Sequence, residues 1–274
     1  MTTSTIFGTI GGLLILTMMV ACGDASKQAN AMMNSEKLTD QEVSGLLSKK
    51  IFFGHKSVGD NILDGIREEM ARDSRLKLNL VKSENPEKVT GPALIEAHIG
   101  ENGNPSSKNQ AFVRILNQGM AAQGGIALYK YCYVDFGPKT DVNRVFEEYR
   151  KGIDAMHEAH PALKIVHITA PLTTVEPAPK ALAKTLLGKP TLRDENVKRN
   201  EFNRLLEQTY GGKEPIFDLA KIESTHADGS REYFTRDGEK IYGMVSEYTT
   251  DGGHLNQAGR HAAAEQLLRM LANL

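Results

Sequence analysis

Short apolar segments alternate with longer amphipathic ones along most of the chain, and this alternation restricts the fold more than any other feature. Five segments have the length and the apolar or β-branched content of strands: residues 50–53, 76–81, 124–134, 163–169 and 215–220. Between them lie stretches whose apolar residues recur at helical spacing. Strands that alternate with helices build right-handed βαβ units, whose parallel strands form one sheet covered on both faces. The sequence therefore predicts an α/β fold with three layers, α/β/α, around a five-stranded parallel sheet.

Capping residues and turn signals predict the limits of several elements. Thr39 and Glu42 have the spacing of a capping box before a short amphipathic helix, and Asp141 is a good N-cap for a helix that runs to about residue 160. A last helix is expected over about residues 256–271, and residues 82–107 are expected to be mainly loop. Two Asp-Gly pairs within residues 224–243 favour an exposed hairpin.

The first 21 residues are set apart from the predicted domain. Residues 6–21 form an apolar run without a charged side chain, shorter than a membrane-spanning helix and ending directly before Cys22. This arrangement resembles the lipobox of bacterial lipoproteins. The resemblance implies a signal peptide over residues 1–21, lipidation of Cys22 and a lipid anchor in the cell envelope, on the periplasmic face or at the outer membrane. Residues 22–36 are small and polar and are expected to be a tether, so the folded domain is expected over residues 37–274.

Charge and cysteine content narrow the class of protein. The chain has 33 Lys and Arg against 34 Asp and Glu, a balance that gives no electrostatic basis for binding nucleic acid or anionic lipid. Its second cysteine, Cys132, lies in an apolar predicted strand and is expected to be a packing residue. No pair of cysteines has the spacing of a metal site.

Ser57 follows the first predicted strand within the stretch IFFGHKSVGDNIL, residues 51–63. Ligands of open parallel sheets bind beyond the carboxyl ends of the strands, so this serine stands where a functional residue is expected. A serine hydroxyl is a weak nucleophile until a base removes its proton. If Ser57 is a nucleophile, its base must lie elsewhere in the chain.

The stretch DGGHLNQAGR, residues 251–260, offers that base. His254 is the usual type of base near neutral pH, and Asp251, three residues earlier, can hold its ring in one tautomer. The two glycines between them allow the tight turn that this contact needs. We therefore expect Ser57, His254 and Asp251 to meet, although almost the whole domain separates the serine from the other two.

A serine after the first strand and a D-x-x-H motif before the last helix resemble the SGNH (GDSL-like) hydrolase superfamily. The resemblance covers roughly residues 50–274 and implies a flavodoxin-like fold, an acyl-enzyme mechanism and activity as an esterase, lipase or carbohydrate O-acetyl esterase. The implied substrate is a small-molecule or glycan ester, and no metal or organic cofactor is needed. The family motif G-D-S appears here as H-K-S.

The family also implies an oxyanion hole, for which this sequence offers several candidates. Gly100 is the first candidate for the glycine that contributes a backbone N–H, and Gly103 is the second. The family asparagine that follows the third strand is missing, because that strand ends in YKYCYVDF. Asn102 or Lys130 could supply the side-chain donor instead, and the sequence does not choose between them.

Two other classes of function stay open at this point. The missing asparagine also fits a non-catalytic substrate- or glycan-binding lipoprotein that keeps the fold. A metal-dependent hydrolase would have to use His55, Asp60, Asp251 and His254, whose spacing matches no known metal motif. Outside that alternative, His55 is expected to be structural.

Overall fold

Six parallel strands form the central sheet of the protein. The computed structural model describes Met1 and residues 37–189 and 191–274, so the predicted signal peptide, the tether and Cys22 lie outside the described residues. The strands of the sheet are β1 (Lys50–His55), β2 (Leu80–Lys82), β3 (Ala93–His98), β4 (Gly125–Tyr129), β5 (Leu163–Ile168) and β6 (Ile216–Phe217). Their spatial order is β2-β3-β1-β4-β5-β6, and every pair is parallel.

This topology confirms the predicted fold class and corrects the number of strands. Without the edge strand β2, the order β3-β1-β4-β5-β6 is that of a flavodoxin-like sheet. The prediction of five strands was wrong because β3 lies in the segment expected to be loop. Its charged Glu96 interrupts the apolar pattern, but in the fold this residue is buried and bonds to His55 of the neighbouring strand.

Helices cover both faces of the sheet. They are α1 (Asp40–Leu47), α2 (Ser57–Arg72), α3 (Pro105–Asn117), α4 (Val142–Ala159), α5 (Ala178–Leu186), α6 (Leu192–Tyr210), α7 (Leu219–Glu223) and α8 (Gln257–Ala272). The predicted capping box at Thr39 and the predicted N-cap at Asp141 are both confirmed. No helix among residues 37–189 and 191–274 is long and apolar enough to cross a membrane.

The core is divided by the sheet into two apolar clusters. Because successive side chains of a strand point to opposite faces, Phe53 packs with α1, α2 and α8, whereas Phe52 packs with α3, α4 and α6. On the first face, Gly65 of α2 lies directly against α8, where a methyl group would come within 2.4 Å of the Arg260 carbonyl oxygen. This close approach brings the start of α2 and the segment before α8 to the same edge of the sheet.

A two-stranded antiparallel hairpin follows α7. It consists of β7 (Tyr233–Arg236) and β8 (Glu239–Tyr242), and it confirms the hairpin expected from the Asp-Gly signals. Asp237 and Gly238 both have positive φ angles, 51° and 84°, as a two-residue turn with right-handed strand twist requires.

Candidate active site

Ser57 is the first residue of α2 and comes directly after the buried strand β1, separated from it by Lys56 alone. The strand places this junction at the carboxyl edge of the sheet, and the helix start leaves N–H groups without partners inside the helix. Within the described residues the backbone N–H of Ser57 has no hydrogen-bond acceptor. The side chain is partly exposed, so a molecule from solvent can reach it.

The loop before α8 brings His254 to this serine. The backbone N–H of Leu255 donates to the side chain of Asn61 on α2, and the N–H of Thr174 donates to the carbonyl oxygen of Gly252, at 3.1 and 3.0 Å. Gly252 has a φ of 91°, a conformation that favours glycine. These bonds fasten the loop to α2 and to the segment after β5.

Ser57, His254 and Asp251 form one hydrogen-bonded chain. The Ser57 hydroxyl lies 3.0 Å from Nε2 of His254, and Nδ1 of the same ring lies 2.6 Å from Oδ2 of Asp251. With the ring proton on Nδ1, that nitrogen donates to Asp251 and Nε2 can accept the serine proton. The structure thus brings together the three residues that the sequence suggested, in the order that nucleophilic catalysis requires.

Asp251 is held as a carboxylate by its own loop. Its Oδ1 accepts the backbone N–H groups of His254 and Gly253, at 2.8 and 2.9 Å. These bonds and the one to the imidazole ring keep the pKa of Asp251 well below its usual range. The ionised carboxylate therefore fixes the tautomer of His254 and can stabilise the imidazolium that forms when the ring takes a proton.

Tyr133 is a part of the site that the sequence reasoning missed. Its hydroxyl lies 3.4 Å from Nε2 of His254, and its ring meets the imidazole edge to face with centroids 5.5 Å apart. Burial raises the pKa of Tyr133, so the hydroxyl keeps its proton. The buried guanidinium of Arg199 donates to the Tyr133 carbonyl oxygen at 3.0 Å and holds this segment in place. Nothing in the local sequence signals this contact, because it depends on how the segment after β4 and the loop before α8 meet in the fold.

Gly100 lies in the turn after β3, next to the strand that leads to Ser57. The preceding N–H, that of Ile99, donates to the His55 carbonyl oxygen at 3.1 Å, and Gly100 itself has a φ of 59°. Its own N–H has no acceptor in the described part of the chain, whereas the N–H of Gly103 donates to Asp135 at 2.8 Å. Of the two glycines, only Gly100 thus keeps its backbone donor available.

Asn102 is exposed, and its side chain is oriented by a buried lysine. The Lys108 ammonium donates to Oδ1 of Asn102 at 3.3 Å and to Asp135, with which it forms a fully buried ion pair. Asp135 also accepts the N–H of Gly103 after β3 and of Cys132 after β4. The pair therefore ties the two loops together and leaves the amide nitrogen of Asn102 as a donor.

Lys130 and Cys132 lie in the interior. The Lys130 side chain is fully buried, and its ammonium donates to the Tyr131 carbonyl oxygen at 3.0 Å. A substrate that enters from solvent does not meet it in this arrangement. Cys132 is buried and unpaired, as expected for a packing residue.

The four residues considered for a metal-dependent hydrolase do not form one group. Among the described residues, His55 and Asp60 gather with His98, whereas His254 and Asp251 face Ser57. His55 itself is buried against Glu96, as expected for a structural residue.

Comparisons with known proteins gave matches among solved structures only. No family model matches the chain, and no curated protein matches it. A GDSL-like lipase from Bacteroides thetaiotaomicron is 11% identical with a TM-score of 0.48 and covers 90% of this chain and 97% of its own. The acetyl xylan esterase AlAXEase is 16% identical with a TM-score of 0.45, over 79% of this chain and 96% of its own.

A third solved structure is the periplasmic domain of a lipopolysaccharide acetyltransferase from Salmonella ser. Paratyphi A. It is 12% identical with a TM-score of 0.41, and the match covers 91% of this chain and 96% of that one. Identities and TM-scores this low carry no argument about function, so the evidence for the function of this chain is the arrangement of its own residues.

Proposed function

We propose that the protein is a serine hydrolase of the SGNH type that cleaves carboxylic esters through Ser57, His254 and Asp251. The observation that carries this proposal is the unbroken hydrogen-bonded chain from the Ser57 hydroxyl through both nitrogens of His254 to Asp251. A serine used only for turn formation or helix capping has no need of a histidine held in this way by a carboxylate.

The mechanism follows from the proton positions. His254 Nε2 removes the Ser57 proton as the serine oxygen bonds to the ester carbonyl carbon, and the resulting imidazolium then protonates the departing alcohol. Water next attacks the acyl-enzyme with His254 again as base, which releases the acid and the free serine. The backbone N–H groups of Ser57 and Gly100 and the Asn102 amide are the proposed donors to the oxyanion.

The exposure of the site supports substrates with a bulky alcohol part, and O-acetylated glycans are the proposed natural class. The side chains of His254 and Asp251 are 39% and 53% exposed, so the base lies at the surface and not in a deep pocket. A carbohydrate chain could therefore lie across the site while one acyl group reaches Ser57.

The test is hydrolysis of a panel of aryl esters, from acetate to long acyl chains, and of acetylated sugars, with wild type and the Ser57→Ala variant. We expect wild type to cleave at least one ester and to react with a fluorophosphonate, and Ser57→Ala to do neither. The matched control is Ser230→Ala, which removes a hydroxyl bonded to Asp228 in an exposed turn. A wild type that cleaves no ester and does not react with the fluorophosphonate would instead support the glycan-binding lipoprotein.

We further propose that the enzyme is anchored by lipid on Cys22 and acts in the cell envelope. This proposal depends on the sequence of the N-terminal segment, where the apolar run ends directly before Cys22 and a polar tether follows. A tether of this kind would let the domain reach esters on molecules near the membrane.

A further inference from the structure

Two histidines and an aspartate gather beside Ser57, at a place that the proposed reaction does not use. His55 and His98 are the last residues of the neighbouring strands β1 and β3 and are direct partners in the register, so their side chains leave the sheet on the same face. Asp60, in the first turn of α2, stands above them. Its Oδ1 lies 2.8 Å from Nε2 of His98 and 3.8 Å from Nδ1 of His55.

The distances among these groups are close to those that a bound metal ion imposes. The three ligand atoms all lie within 4.8 Å of one another. Nitrogen and oxygen ligands bind zinc at about 2.0–2.2 Å, which puts two ligands of a tetrahedral site about 3.3 Å apart. His98 and Asp60 are 39% and 44% exposed, so small side-chain rotations can adjust their positions.

The charges around the cluster favour a cation. Asp60 and Glu96 are both acidic, and among the described residues neither carboxylate has a lysine or arginine within ion-pair distance. A divalent metal ion binds neutral imidazole and would supply positive charge beside the two carboxylates.

Glu96 orients His55 in the way that metal-bound histidines are usually oriented. Nε2 of His55 lies 3.0 Å from the carboxylate of Glu96, which is almost buried. If Nε2 carries the proton and donates it to Glu96, Nδ1 presents its lone pair toward Asp60. Nδ1 also lies 3.1 Å from the Lys56 carbonyl oxygen, but that oxygen already accepts the N–H groups of Gly59 and Asp60.

We infer that His55, Asp60 and His98 form a binding site for a divalent transition metal ion such as Zn²⁺. In this site Glu96 orients His55 through a hydrogen bond to its Nε2. Two imidazoles and one carboxylate suit zinc, cobalt or nickel better than magnesium or calcium, which prefer oxygen ligands. The ion would join the ends of β1 and β3 to the first turn of α2. It would thereby fasten the junction that carries Ser57, without taking part in the proposed ester chemistry.

The test is a metal titration of the full-length protein, purified without a histidine tag and treated with a chelator. Calorimetry with Zn²⁺ should give one bound equivalent, and Co²⁺ should give the absorption bands of a site with nitrogen ligands. Zn²⁺ should also raise the temperature of unfolding, because it binds only the folded chain. His98→Asn and Asp60→Asn should each abolish this binding, and Glu96→Gln should weaken it about 10–100-fold.

Two control variants separate this site from other histidines. His160→Asn changes a partly exposed histidine bonded to Asn117, and this variant should still bind one equivalent of Zn²⁺. His254→Asn should also still bind one equivalent of Zn²⁺, since His254 faces Ser57 and Asp251 and is not one of the three proposed metal ligands. Circular dichroism checks that each variant is folded. A wild type that binds no Zn²⁺ at millimolar concentration would overturn the inference, as would binding that survives in both folded variants, His98→Asn and Asp60→Asn.

Discussion

Asp251 does two things at once, since one oxygen shapes its loop and the other orients His254. In Asp251→Asn the amide can place an N–H group against Nδ1, which forces the ring proton to Nε2, the atom that must accept the serine proton. We expect kcat for a cleaved ester to fall by about 10²–10⁴-fold with KM nearly unchanged. Asp228→Asn is the matched control, because Asp228 also accepts a backbone N–H in an exposed turn but lies away from the site. Equal kcat values for wild type and Asp251→Asn would contradict this role.

Asn102 and Lys130 can be separated by kinetics. Removing a donor that bonds only to the oxyanion lowers kcat more than it changes KM, so Asn102→Ala should lower kcat by about 10²-fold. Lys130→Met keeps an unbranched side chain in the buried position and should leave kcat within about twofold in the folded protein. Asn79→Ala, at an exposed position, controls for the loss of an amide. If Asn102→Ala retains full kcat, the oxyanion hole consists of backbone amides alone.

Contacts that have a local signature were predictable from the sequence. Asp251 and His254 stand three apart next to glycines, and their contact is made within one loop. Tyr133 and His98 gave no such signal: Tyr133 meets His254 only where two distant loops come together, and His98 meets His55 only through the register of neighbouring strands. The buried position of Lys130 depends in the same way on tertiary packing, which spacing alone does not reveal.

Ser57 begins α2, and His254 and Asp251 lie in the loop directly before α8, so the close packing of α2 and α8 sets the distance between the two parts of the proposed site. A methyl group on Gly65 would lie 2.4 Å from the Arg260 carbonyl oxygen and 2.8 Å from Cβ of Ala264. Gly65→Ala should therefore destabilise the protein by about 1–3 kcal/mol, and kcat should fall as the helices separate. Urea unfolding and ester kinetics measure the two effects.

Gly152→Ala in α4 is the control for this prediction. Its added methyl would meet only Cγ2 of Val113, at 3.4 Å, an ordinary contact. Since alanine favours a helix over glycine by about 1 kcal/mol, this variant should be as stable as wild type or more so. If Gly65→Ala behaved like Gly152→Ala, the close approach of the two helices would not limit the site.

Strands and helices with a regular pattern of apolar residues were also predictable, and strands that mix apolar with polar residues were not. β1, β5 and the capped helices stand where the sequence indicates them, whereas β4 and β6 begin as predicted but end early, at Tyr129 and Phe217. β3 ends in polar residues that are paired across the sheet, so its sequence resembles a loop. Of the predicted second strand, residues 76–81, the structure has only the short edge strand β2 near its end.

The buried carboxyl group of Glu223 should make the free energy of unfolding of the whole molecule depend on pH. Burial raises the pKa of Glu223 to about 8, from an ordinary value of 4.5. Between these values the unfolded chain loses the proton while the folded protein keeps it, so the free energy of unfolding falls as the pH rises through that range. In Glu223→Gln this fall should be smaller, because glutamine does not titrate.

The measurement is urea unfolding of both proteins at several pH values from 5 to 8.5. Glutamine keeps an oxygen that can accept the Leu172 N–H, which Glu223 accepts in the native protein. The control is Glu158→Gln on the exposed side of α4, which also removes one carboxyl group. A stability difference between wild type and Glu223→Gln that stays constant over this range would contradict the prediction.

The proposed anchor concerns the whole molecule in its cellular setting. Cys22→Ala should abolish incorporation of labelled fatty acid, because the thiol is the proposed attachment point. The variant should keep the circular dichroism spectrum of the domain and its activity on a soluble ester. Lipid labelling at the wild-type level would show that Cys22 is not the attachment point.

The separation of 197 positions between Ser57 and His254 also affects when the site can form during synthesis. At a synthesis rate of 5–20 residues per second, a growing chain carries the serine for about 10–40 s before the histidine is made. α8, which holds the histidine loop against α2, is made later still. Unfinished chains would therefore have no activity toward the esters of the cell that produces them. Proteolytic loss of the segment from His254 onward would abolish the proposed activity for the same reason.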